Sequence, residues 1–175
     1  MSAVVGEQRR VYPGLDQLAV RGAVVVGAMT SLVAAQAAGA RPAVWAQALL
    51  TALAVIVAVR PESSTGVLLL AGLAYVWSTA PDPLSPLVLL AAAGMVSVHV
   101  AALLAAQGPP RMRVHAGQAL RWLWRGLLLW LAAATVWALD QFANGLPGGR
   151  LVYAAGLSLL VGIAATASWL LSRRL

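Results

Sequence analysis

The sequence predicts an all-α membrane protein, a single domain over residues 1–175 built as a bundle of six transmembrane helices with both termini in the cytoplasm. Three observations carry this expectation. The chain is 61% hydrophobic and only 10% charged, against about 25% charged in soluble domains, which leaves too little polar surface to coat a globule in water. Its apolar residues gather into six stretches separated by connections that hold most of the prolines and charges. Threaded alternately, those stretches put ten of the twelve arginines on one side. Basic residues beside apolar segments stay where translocation begins, so that side reads as cytoplasmic.

A helix needs roughly 20 apolar residues to cross a hydrocarbon core of about 30 Å. The first stretch runs from about Gly22 to Gly39, with room to extend back toward Pro13, and follows Arg9, Arg10 and Arg21. The second, Ala43 to Val59, and the third, Gly66 to Ala80, are short. Read as a re-entrant pair they would place Arg60 and Glu62 at a buried tip, at roughly 2.5–3.5 kcal/mol for each charge. Two true spans, little tilted and thinning the bilayer locally, cost less. The fourth stretch is Leu84 to Ala106, the fifth Ala119 to Leu139 and the sixth Leu151 to Leu171. Around the fourth connection gather Arg111, Arg113, Arg121 and Arg125, and Arg173 and Arg174 close the chain. Arg41 and Arg150 are left for the outer side.

Prolines punctuate the same plan. Pro13 and Pro42 open helices, where a missing N–H does no harm, and Pro86 lies in the first turn of the fourth. Pro61, Pro81, Pro83, Pro109, Pro110 and Pro147 fall in connections. Aromatic side chains mark both interfaces: Trp45, Trp77, Trp137 and Tyr153 outside, and Tyr12, Trp122, Trp124 and Trp169 inside, with Trp130 mid-span. The first stretch, ending in the small residues Ala35 to Ala40, imitates a secretory signal. Twenty-one mostly polar or mixed residues precede it, long for a signal n-region, so cleavage near Ala40 is not expected.

Composition narrows the chemistry. With no cysteine, disulfides and thiolate metal sites are excluded. Every basic residue is arginine, a bias that fits a GC-rich bacterial genome and hence a bacterial plasma membrane. The net charge of +7 follows from topology, so no nucleic-acid partner is expected. Contact with anionic headgroups on the cytoplasmic side is its natural consequence. The residues Arg111, Arg113, Arg121 and Arg125 are the candidates for such a contact, or for an acidic partner. Arg121 and Arg125, one turn apart beside Trp122 and Trp124, can reach the headgroup layer by snorkelling.

His99 is the one ionisable residue expected well inside a span. It lies past the midpoint of the fourth helix, roughly 6 Å toward the cytoplasm at about 1.5 Å per residue. An intramembrane ionisable group must be satisfied or neutral. A proton relay would supply a carboxylate, but Glu7, Asp16 and Glu62 read as cytoplasmic, Asp82 as outer and Asp140 as the outer edge. A neutral imidazole bonding Thr166, at similar depth in the sixth helix, is the simpler expectation. Gln36 and Gln47, at matching depths in antiparallel neighbours, suit an interhelical amide contact worth about 0.6 kcal/mol. Thr30, Ser31 and Thr51 near the midplane can bond their own helix carbonyls. Ala91 to Gly94, and Gly156 with Gly162, offer small-residue surfaces for close helix approach.

No P-loop, paired catalytic carboxylates, metal-spaced histidines or nucleophile elbow occurs in the sequence, so neither cofactor nor catalysis is expected. The leading functional class is an accessory or scaffolding subunit of a larger cell-envelope complex, with a protein partner in the membrane. A small transporter or permease is the alternative, weakened because transporter sites commonly use broken, Gly- or Pro-interrupted helices at the midplane.

Overall fold

The computed structural model is all-helical and describes residues 15–61, 64–82, 84–107 and 116–144. The sixth stretch, with Thr166, Gly156 and Gly162, lies outside the described residues, as do Arg111 and Arg113. Five helices follow in order: α1 (Leu15–Ala37), α2 (Val44–Val59), α3 (Thr65–Ser78), α4 (Leu87–Ala106) and α5 (Ala116–Asn144). The chain divides into two compact units, Met1–Gly126 and Leu127–Leu175. Helices α1 to α4 and the start of α5 belong to the first unit, and the rest of α5 to the second.

Each helix stops for a local reason. α1 closes in a Schellman motif, with the Ala40 N–H on the Ala35 carbonyl and the Gly39 N–H on the Gln36 carbonyl, both at 2.9 Å. Gly39 takes φ +91°, the left-handed backbone that glycine adopts without a Cβ penalty. The motif also buries Ala40 against the core that holds Ala35. α2 ends because Pro61 forces Arg60 out of helical geometry, to φ −126° and ψ 73°. Between α3 and α4, Asp82 accepts from the Leu84 N–H at 3.3 Å, an Asx turn ahead of Pro86, the N-cap of α4.

The core of the first unit is built around the antiparallel crossing of α1 and α4, the most extensive helix pairing among the described residues. Val24, Ala28, Leu32 and Ala35 recur along one stripe of α1 and are all buried, at the spacing that keeps residues on one face. Opposite them stand Ala91, Gly94, Val98 and Ala101 of α4, also buried. The two backbones touch at glycine. A Cβ on Gly27 would lie 2.7 Å from the Gly94 carbonyl oxygen, and one on Gly94 would lie 2.5 Å from that of Gly27. Neither position admits a larger residue without separating the helices. Ser31 sits one turn beyond Gly27, 2% exposed, and donates to the Ala91 carbonyl across 2.9 Å. The expected bond of Ser31 to its own helix is thus replaced by one to α4. Thr30 and Thr51 do bond within their helices, to Val26 and Gln47 at 2.9 and 2.8 Å.

Helices α2 and α3 pack beside this pair through Leu50, Ala54 and Val57 on one and Leu69, Leu73 and Val76 on the other. At 16 and 14 residues they are roughly 24 and 21 Å long, from about 1.5 Å per residue. Helices α1, α4 and α5 are long and apolar enough to cross a membrane, whereas α2 and α3 are apolar but shorter.

Candidate functional site

Among the described residues, four places bring polar groups together or leave them exposed on an apolar surface. The first is where α1 meets the end of α2. Arg21 donates from one guanidinium nitrogen to the carbonyls of Ala58 and Val59, each at 3.0 Å. Those carbonyls belong to the last turn of α2, which has no later N–H to receive and carries the negative end of the helix dipole. A cation there satisfies both needs. Gln17, one turn before Arg21, is 2% exposed. Its Oε1 and the Arg21 Nε are both buried without a partner among the described residues. Arg21 looked in sequence like one more cationic flank. Its role as a helix cap needed the fold, because Ala58 and Val59 lie 37 and 38 residues away.

The second place holds His99. The imidazole is exposed on α4 and lines a half-open notch of about 180 Å³ with Pro61, Gly66, Val67, Leu70 and Leu103. It makes no hydrogen bond to a described residue, and no group of three or more metal-binding side chains converges among the described residues. The expected partner, Thr166, lies outside them.

The third place is the start of α5. The Arg125 guanidinium stands 5.1 Å from the centre of the Trp122 ring, within cation–π range. Arg121 donates to the Gly117 carbonyl at 3.3 Å, and both arginines are exposed. Gln118 donates to Gln107, which joins this turn to the end of α4. Gly126 follows, where a Cβ would lie 3.1 Å from Val100 of α4.

The fourth lies at the other ends of α2 and α3, a groove of about 790 Å³ that includes Arg41, Trp45, Leu49, Gly72, Tyr75 and Val76 in its lining. Sequence reasoning assigned Arg41 and Trp45 to one interface but saw no cavity there. Gln36 and Gln47 flank the α1–α2 connection without meeting. Gln47 donates to the Pro42 carbonyl at 3.0 Å, Gln36 is exposed, and no hydrogen bond joins the two.

With all-helical described residues, three helices among them fit to cross a membrane and exposed surfaces rich in leucine and valine, the chain has the features of a helical membrane protein. Comparison with protein-family models, curated proteins and solved structures finds no match.

Proposed function

We propose that this chain is a small integral membrane subunit that works by association, docking within the bilayer against a protein partner of a larger cell-envelope complex. In this reading it crosses a bacterial plasma membrane six times with both termini cytoplasmic, catalyses nothing itself, and rests its basic rim of Arg111, Arg113, Arg121 and Arg125 on anionic headgroups. The observation that carries the docking is His99. An imidazole exposed on an apolar helix, beside Pro61 and with no bond to a described residue, offers a polar group that a neighbouring helix would satisfy. The tight α1–α4 crossing supports the same role, because a backbone-to-backbone contact makes a rigid element to dock against.

A photo-crosslinking residue at His99 tests it in native membranes. Capture of another membrane protein, together with retained association in His99→Asn and reduced association in His99→Leu, is the expected result. Crosslinking only to residues 151–171 of the same chain would refute docking through this face.

One observation favours a second reading, a small transporter or permease: the groove of about 790 Å³ falls in the range of roughly 300–1,000 Å³ typical of small-molecule sites. Solute uptake by the purified protein alone in proteoliposomes would put this reading first.

A further inference from the structure

We infer that the groove between α2 and α3 is a binding site for an anionic phospholipid, its headgroup on Arg41 and an acyl chain laid along Leu49 and Val76. This goes beyond the docking role and concerns the opposite end of the first unit from Arg21.

Four features point to this ligand. The groove is half-open and mostly apolar, so its occupant has an apolar body. Arg41 stands at its mouth, exposed and without a hydrogen bond or ion pair to a described residue. Asp82, next in sequence to the groove residue Pro81, accepts from the Leu84 N–H and forms no ion pair with Arg41. The occupant therefore carries an anionic head. Trp45 and Tyr75, 72% and 71% exposed, flank the cleft with the amphipathic rings that settle at headgroup level. Finally, α2 and α3, about 24 and 21 Å long at about 1.5 Å per residue, fall short of a hydrocarbon core of about 30 Å. Lipid must adapt to them, and a groove that takes an acyl chain is one way to do so.

Selectivity has to come from the head. Lipid tails are as apolar as leucine, so the floor of the groove gains nothing over the surrounding bilayer. One arginine near a charged interface favours an anionic over a zwitterionic lipid by roughly fivefold.

Trp45 reports directly on occupancy. The full chain is reconstituted in mixtures of phosphatidylglycerol and phosphatidylcholine in which one or the other carries brominated acyl chains. The Trp45 signal is taken as the difference between the wild type and Trp45→Phe. The expected result is quenching that favours brominated phosphatidylglycerol by about fivefold, falling to no preference in Arg41→Gln. Ala46→Phe, which fills the groove and leaves Arg41 in place, should reduce quenching by both lipids, with helicity and thermal unfolding checked for each variant. Equal quenching by the two lipids in the wild type, or a preference that survives Arg41→Gln, overturns the proposal. So does absence of quenching by either lipid, since the groove is then closed or otherwise filled. Labelling of Arg41→Cys from the cytoplasmic side would instead overturn the orientation proposed above, and leaves the lipid result to stand by itself.

Discussion

The hydroxyl of Ser31 donates to the carbonyl of Ala91 across 2.9 Å, joining two helices at a point where both residues are buried. The bond is a consequence of glycine. Gly27 and Gly94 let α1 and α4 approach until their backbones touch, and only at that separation does so short a side chain as serine reach across. The acceptor already serves the α4 ladder, so Ser31 uses the carbonyl's second lone pair and leaves the helix intact.

The crossing should be intolerant of size. Gly27→Leu or Gly94→Leu should destabilise the protein by about 1–3 kcal/mol or prevent its assembly, read as a lowered unfolding midpoint in detergent. Gly22→Leu, where no atom lies within 4 Å of an added Cβ, is the control and should be nearly neutral. Equal effects at Gly22 and Gly27 would contradict the close contact.

Ser31→Ala isolates the hydrogen bond from the packing. It should cost about 0.6 kcal/mol, and no more than about 1.7, the range for interhelical bonds in membranes. Thr30→Val, which loses only a bond to its own helix, should cost less. A double-mutant cycle of Ser31→Ala with Gly94→Ala should show coupling, because both changes act on one contact.

Arg21 should matter to stability more than the other arginines. Replacing it with methionine keeps much of the stem and removes the donors to Ala58 and Val59, at a cost on the order of 1 kcal/mol. Amide exchange should then rise in the last turn of α2 and stay unchanged in α4. Uniform loosening of all helices would show that the cap is not what Arg21 contributes.

The arginines at the start of α5, Arg121 and Arg125, are exposed instead. Neutralising Arg121 and Arg125 together with Arg111 and Arg113 should weaken the preference of the reconstituted protein for anionic over zwitterionic lipid by roughly fivefold per residue that contacts a headgroup. The remaining preference should depend less steeply on salt. A preference that keeps its full salt dependence after all four changes would remove the rim from the account.

The six-span plan is checked by labelling. A thiol introduced by Ser64→Cys or Val114→Cys should react only from the cytoplasm, and one introduced by Asp82→Cys or Asn144→Cys only from outside. Reaction of Val114→Cys from the outside would sink the plan.

Helical class and the positions of five helices were legible in the residues, since apolar stretches cut by proline and charge leave the backbone few other ways to satisfy itself in an apolar setting. The short α2 and α3 were legible too, because Pro61 and Pro81 limit them. What tertiary structure alone decided is which face of each helix turns inward. In a soluble protein hydrophobic periodicity marks that face, but a helix that is apolar all round carries no such mark. Gly22, Gly27 and Gly94 therefore look alike in sequence, and only the crossing separates Gly22, with nothing nearby, from the pair at the contact. The same holds for polar groups. Ser31 could bond its own helix or a neighbour, and Arg21 could face lipid headgroups or the end of α2. Partners about 60 and 37 residues away in sequence become neighbours only when helices pack, so the choice lies in the packing and not in the local run of residues.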